Sequence, residues 1–176
     1  LEEDLLKYSV FKGSVHTHST GSDGLYPPEF VPAYMRQAGY DFTAVTDHKC
    51  YEPSLQAIEA MSRFDSGLEV YPGEEAESYG AGINHILSLG ASGSISAWEY
   101  DPESDFAARV EKVQQELKDY PEHDAKYAAQ FEAITSKIKE LGGISVFCHP
   151  YWKQNARYAS APVMTDIIIR RGNYDA

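Results

Sequence analysis

Cysteine and positive charge are both scarce in this sequence. Only Cys50 and Cys148 occur among 176 residues, too few for the disulfide framework that holds small secreted domains together. They read instead as reduced, partly buried thiols. Lys and Arg number 15 against 27 Asp and Glu, a formal net charge of −12, so the surface as a whole repels nucleic acid and anionic membranes. Aromatic residues are largely tyrosine and no basic stripe interleaves with them, which argues against a nucleic-acid-binding module. No apolar run approaches the roughly 20 residues needed to cross a bilayer. The opening Leu1-Glu2-Glu3-Asp4 is neither a signal peptide nor a basic targeting segment, and the reading it leaves is a cytoplasmic protein. Repeats and low-complexity linkers are missing as well.

What is present is an ordinary globular composition, 43% hydrophobic and 24% charged, at a length that suits one domain over residues 1–176 with a real buried core. Short apolar runs alternate with amphipathic stretches, the rhythm of βα units. Strands are expected at residues 11–16, 42–46, 68–71, 83–89 and 144–147. Helices are expected at 27–38, with Pro27 and Pro28 in the first turn and Gly39 behind it, and at 53–64, where Leu55, Ile58 and Met61 recur at three-residue spacing. Residues 98–141 break the rhythm and read as two charged helices, about 103–118 and 124–141, separated at Pro121. In the second, Phe131, Ile134, Ile138 and Leu141 form an apolar stripe that core packing explains without any function. Gly142-Gly143 ends that helix, and 162–171 reads as one more.

The chemistry is in the histidines. Five of six (His16, His18, His48, His85 and His149) fall in or at the ends of expected strands, leaving only His123 elsewhere. In parallel α/β folds the carboxyl ends of strands converge on one mouth, so residues distant in sequence meet there. His16 and His18 are two apart on a strand and point to the same face. Asp23, in the turn Ser22-Asp23-Gly24, can curl back to them. His48 ends the second strand as a candidate ligand. Asp47 beside it reads as a hydrogen-bonding brace, because ligating imidazoles usually donate their other N–H to an acid or carbonyl. Glu74 and Glu75 place two acids at the next strand end, where one carboxylate can bridge two metals while the other faces outward. His149 precedes Pro150, which stops its ladder. Imidazole and carboxylate together suit zinc, iron or manganese.

Taken in order, Val15-His16-Thr17-His18-Ser19, Ser22-Asp23-Gly24, Thr46-Asp47-His48, Pro72-Gly73-Glu74-Glu75, His85 and Cys148-His149-Pro150 resemble the PHP family, the polymerase and histidinol phosphatase domain. The resemblance spans about residues 11–152. A His-x-His alone is a weak signal; several motifs in family order are a strong one. The resemblance implies a distorted (β/α)7 TIM-like barrel, a class of α/β fold, with residues 98–141 as a helical insertion. It also implies two or three divalent metal ions (Zn, Mn or Fe) held by His16, His18, Asp23, His48, Glu75, His85 and His149. Glu75 is preferred to Glu74 because the family's glutamate stands two places after the Pro-Gly glycine. The family closes its site with an Asp-x-His pair on a late strand. No such pair follows His149, and residues 172–176 read as the approach to a further strand, so the C-terminal part of the domain is expected to lie beyond this sequence.

The activity implied is hydrolysis of a phosphate ester by a metal-bound hydroxide, since coordination lowers the pKa of water from about 15.7 toward 7. Asp47 and His149 are expected to take part in catalysis. Lys153 and Arg157, just past the His149 strand, are expected to contact the phosphate. The substrate is then a small phosphate ester, with nucleic acid entering only as a short or terminal phosphoester. Net negative charge does not exclude this, because screening acts over about 8 Å and nearby cations outweigh distant carboxylates. Two other readings compete. An amidohydrolase-like enzyme shares barrel His-x-His sites but expects a bridging modified lysine or comparable ligand, which the sequence does not offer. A non-catalytic metal-binding or regulatory module draws support from the missing Asp-x-His.

Overall fold

The structure is a computed structural model and describes residues 7–77, 84–154, 156–158 and 160–176. The chain first builds a parallel sheet. Strands β1 (Gly13–Ser14), β2 (Phe42–Ala44) and β3 (Glu69–Tyr71) pair in that order, with helices α1 (Phe30–Gln37) and α2 (Glu52–Ser62) as the crossovers. Its small core joins Val31 of α1, Val45 and Ala57 of α2, with Met35 and Val70 packed against them. The expected strand at 11–16 narrows to two paired residues. The expected helix at 27–38 begins only at Phe30, because residues 27–29 form a turn in which Phe30 N–H bonds Pro27 O at 3.0 Å.

After β3 the parallel pattern stops. Pro72 has no N–H to continue a ladder, and β4 (Gly73–Glu77) begins immediately behind it. The connection from β4 to β5 (His85–Leu89) is too short for a crossover helix, so the pair is antiparallel, in the register Glu75↔Leu87 and Glu77↔His85. Strand β6 (Ile144–Phe147) completes this second sheet in the order β4-β5-β6, again antiparallel. Two expectations are corrected here. Glu74 and Glu75 lie inside a strand rather than at a strand end, and His85 opens β5 rather than standing within it. Residue 83, where that strand was expected to start, lies outside the described residues. Among the described residues the strands form two three-stranded sheets and one hairpin, β7 (Lys153–Gln154) with β8 (Arg157–Tyr158), and no closed barrel.

The two sheets meet at one seam. His48 and Glu75 form an isolated parallel bridge, in which Glu75 N–H donates to Asp47 O (3.1 Å) and Lys49 N–H to Glu75 O (2.9 Å). Gly73 lets the chain pass closely beside this seam, since a Cβ there would stand a tight 3.0 Å from both Ser88 O and Thr46 Cγ2. Lys49 (φ 53°) and His149 (φ 30°) are non-glycine residues on the left-handed side of backbone space, a costly conformation that surrounding structure must enforce.

The main core covers the second sheet. Between β5 and β6 the chain forms three helices, not the two expected: α3 (Ile95–Tyr100), α4 (Phe106–Glu116) and α5 (Glu122–Glu140). Phe131, Ile134 and Ile138 of α5 are buried against Ile86 of β5, Phe147 of β6 and Met164 and Ile167 of α6 (Pro162–Arg171). The Phe131 and Phe147 rings meet edge to face at 4.7 Å. Residues 175 and 176 run along β6, with Ala176 N–H bonded to Ser145 O and Phe147 N–H to Ala176 O, the alternation of a parallel pair. No helix among the described residues is long and apolar enough to cross a membrane.

Phe131→Ala should cost about 3–5 kcal/mol, the usual price of an emptied aromatic site in a core. It should appear as a lower urea midpoint with an unchanged denaturant slope.

Candidate metal centre

The segment after β1 is fastened to the end of β2 by Thr17. Its N–H meets Thr46 Oγ1 (3.1 Å), its hydroxyl donates to Ala44 O (2.7 Å), and its carbonyl accepts from Thr46 N–H (2.7 Å). With Thr17 turned toward β2, His16 and His18 face the other way together, their ring centroids 5.2 Å apart. Gly24 closes the turn that follows; a Cβ at this position would fall 2.2 Å from His18 O. That turn returns Asp23 to His18 Nδ1 at 3.1 Å and to His48 Nε2 at 3.8 Å.

Glu75 is the centre. Its side chain is fully buried, and Oε2 lies 3.2 Å from each of His16 Nε2, His18 Nε2 and His48 Nδ1. Oε1 lies 2.7 Å from His85 Nδ1 and 3.5 Å from His149 Nε2. These nitrogens sit at contact distance but off hydrogen-bonding directions, so both Glu75 oxygens, His48 Nδ1 and His85 Nδ1 are buried without an aligned partner. Buried polar atoms left this way are costly. Converging donors with no hydrogen bonds among them are what divalent-ion ligands look like without the ion. Four trios have donor atoms all within 4.8 Å of one another: His16, His18 and Glu75; His18, Asp23 and His48; His48, Glu77 and His85; Glu75, His85 and His149. The residues therefore fit a metal cluster, with a nitrogen and oxygen donor set that accepts zinc, iron or manganese.

Glu74 points the opposite way. Its carboxylate accepts from the N–H groups of Ile95 and Ser96 and from the Ser94 hydroxyl at the start of α3, and burial raises its pKa. Burial also pushes the Glu75 carboxyl upward, but the attraction of His16, His18 and His85 outweighs it and holds the group far below the usual carboxylate range. Glu75 in turn raises the pKa of His18 against the effect of burial. Burial, helped by the neighbouring His85, lowers that of His149. Burial raises the Cys148 thiol to about 12, and its Sγ lies 3.6 Å from Val146 O, so it stays protonated.

Six of the seven sequence-derived ligand candidates line one open cavity of about 240 Å³, His16, His18, His48, Glu75, His85 and His149, together with Trp152, and the seventh, Asp23, stands beside His18 and His48. The other candidates stand apart. Asp47 is buried behind the cavity and braces no imidazole directly. It accepts from Ser19 N–H (2.8 Å) and from the hydroxyls of Ser19 and Ser22 (both 2.5 Å), and reaches His18 only through Ser22, whose Oγ is 3.3 Å from His18 Nδ1. Lys153 and Arg157 are exposed on the β7–β8 hairpin and do not line the cavity. The Lys153 ammonium rests 4.5 Å from the Tyr158 ring centroid. Sequence reasoning missed Glu77 and the wall formed by Trp152. The signal for Glu77 is the two-residue period of β4, visible only once residues 73–77 are known to be a strand.

No family model and no curated protein matches this chain. Solved structures do. A candidate metal-dependent phosphoesterase from Bifidobacterium adolescentis superposes with a TM-score of 0.61 at 19% identity, over 92% of this chain and 75% of its own. An amidohydrolase from Chromobacterium violaceum, solved with bound sulfate and no metal, gives 0.57 at 19% identity over 91% and 72%. A two-domain protein from Bacteroides vulgatus, containing a predicted PHP-like metal-dependent phosphoesterase, gives 0.60 at 17% identity over 95% of this chain and 43% of that one. The mixed α/β fold is the one these proteins share.

In the metal-free protein the pKa directions define a stability window. Glu75, depressed on folding, stabilises above its unfolded pKa of about 4.3, and this is lost as pH falls. His18, raised on folding, stabilises below its unfolded value of about 6.5, and this is lost as pH rises through its folded pKa. The urea midpoint of the metal-free protein should therefore peak between the carboxylate and imidazole ranges, and Glu75→Gln should flatten the peak. An unaltered profile in that variant would contradict this electrostatic account.

Proposed function

We propose that this chain is a metal-dependent hydrolase of PHP type that cleaves a small phosphate ester. The observation that carries the reading is the buried Glu75 carboxylate, enclosed by five imidazoles with both oxygens lacking aligned hydrogen bonds. His16, His18, Asp23, His48, Glu75, His85 and His149 would hold two or three divalent ions. Such ions, when bound, acidify water and neutralise charge on the transferring phosphoryl group. The chain's own contribution is placement. Glu75 presents one oxygen to His16, His18 and His48 and the other to His85 and His149, so a single carboxylate spans two halves of the site. Asp47 fixes the 19–22 turn and, through Ser22, the His18 ring. His149, whose basicity burial lowers, keeps a free lone pair at neutral pH. Trp152 packs against His149 and His85 at ring distances of 5.6 and 6.4 Å and shields one wall of the cavity from water. Lys153 and Arg157, on the hairpin that follows Trp152, supply cationic groups for the ester's outer oxygens. In this reading the two three-stranded sheets belong to a distorted (β/α)7 barrel.

The amidohydrolase reading keeps one specific support, the shared fold of the Chromobacterium violaceum protein. Elemental analysis of the purified protein beside His16→Ala/His18→Ala, with aryl phosphate and aryl amide assays of both, tests the proposal. Bound metal and phosphate release in the wild type are expected. The double variant should fall more than roughly 100-fold in metal affinity, beyond the usual effect of changing an outer-shell partner, and should lose turnover. Amide hydrolysis instead would select the amidohydrolase. Metal with neither activity would leave a binding module, and no metal after reconstitution with Mn, Fe and Zn would remove the reading altogether.

A further inference from the structure

On β4 the residues at 75 and 77 share a face, while Ala76 turns into the main core. Glu77 therefore projects alongside Glu75 toward the imidazoles. One of its oxygens, Oε1, lies 3.1 Å from His48 Nδ1 and 3.7 Å from His85 Nε2. The other, Oε2, is held by Lys49 Nζ at 2.5 Å. Lys49 itself occupies a left-handed conformation (φ 53°), and its N–H is bonded to Glu75 O, so it is anchored by the seam between the sheets. The carboxylate is thus fixed by one oxygen and offers the other. Metal-ligating carboxylates are commonly held in this way by a partner outside the coordination sphere.

The imidazoles facing Glu77 have donor capacity to spare. His48 turns to Glu77 a buried Nδ1 with no aligned hydrogen-bond partner, and His85, only 6% exposed, turns its Nε2 to Glu77 while its Nδ1 lies 2.7 Å from Glu75 Oε1. A neutral imidazole carries one lone pair, so His48 serves either Asp23 through Nε2 or the Glu75–Glu77 side through Nδ1. The two carboxylates competing for it differ in setting. The Asp23 side chain is 71% exposed, whereas that of Glu77 is 20% exposed and tied in place.

We propose that His48, Glu77 and His85 form a further divalent-metal position in this cluster, with Glu77 as a direct donor. Two imidazole nitrogens and one carboxylate oxygen leave open positions and suit a transition ion such as Zn, Mn or Fe(II). The proposal rests on the hydrolase reading only for the presence of ions in the cluster. It adds a ligand from β4 that is distinct from the seven assigned above.

The test is titration of the metal-free protein with Co²⁺, followed by its visible absorption, and with Mn²⁺, followed by calorimetry. The proteins compared are wild type, Glu77→Gln, Glu77→Ser and Lys49→Met. Glutamine keeps the shape and a weak oxygen donor, and serine removes the donor. Lys49→Met breaks the ion pair but leaves both Glu77 oxygens. One Co²⁺ equivalent should change its absorption band in both Glu77 variants and keep it in Lys49→Met, while the remaining equivalents persist in all four. The affinity of that equivalent should fall at least about tenfold in Glu77→Ser. Identical spectra and affinities in the wild type and both Glu77 variants would overturn the proposal and leave the hydrolase reading intact. A band change in Lys49→Met matching that of the Glu77 variants would also overturn it, by assigning the effect to the ion pair. Absence of ion uptake by the wild type would overturn both.

Discussion

Everything around the site answers to one buried negative charge. A carboxylate removed from water costs several kcal/mol unless opposite charge or hydrogen bonds compensate it. Glu75 has no aligned hydrogen bond to compensate it and instead has five imidazoles from four places in the chain. Their attraction, not burial, decides its ionisation. That one compensation explains why chain segments so far apart in sequence must converge. His16 and His18 come from the end of β1, His48 from the end of β2, His85 from the start of β5 and His149 from behind β6. The core under α5 fixes the second sheet, Thr17 and Thr46 fasten the His16–His18 segment to β2, and the His48–Glu75 bridge joins the two sheets. The fold can be read as the scaffold that keeps five weak bases within reach of one acid.

The cost of that convergence is stored in the backbone. Lys49 and His149 lie at positive φ, each next to a strand end that carries a ring into the cavity. Residues in such conformations persist only where the surroundings over-determine them. At Lys49 the constraint is visible as a main-chain bond to Glu75 and a side-chain bond to Glu77. Behind the cavity, Asp47 spends its carboxylate on a turn of small residues, Ser19 to Ser22, rather than on a histidine. The precision of the His18 ring thus comes through a hydroxyl relay and not from direct contact.

Much of this was legible in the sequence, and what was not has physical reasons. The apolar stripe of α5 and the span of α6 were readable because long periodic segments with glycine or proline at their ends carry redundant signals. His16 and His18 were readable as a pair because residues two apart in extended chain turn to one side, although both lie past the paired residues of β1. The antiparallel second sheet was hidden, because Pro72-Gly73 reads as the end of a strand when it is the junction between two. That error concealed Glu77, which becomes a neighbour of Glu75 only if residues 73–77 are extended. Asp47 was misjudged because adjacency in sequence to His48 says nothing about which way a buried carboxylate turns. The hairpin cations Lys153 and Arg157 were chosen by proximity along the chain, and the β7–β8 pairing leaves both outside the lining of the cavity.

Glu75 also does two jobs with different parts of itself. Its main chain closes the bridge between the sheets, and its side chain is the middle of the donor cluster. A slip of β4 by one residue would present Glu74 or Ala76 to the histidines and turn Glu75 toward the core. Any ion gripped by that carboxylate therefore favours a single alignment of the two sheets and no other. Ion capture would then act as a proofreading step for the chain's own assembly, rewarding only molecules whose halves have docked in the correct frame.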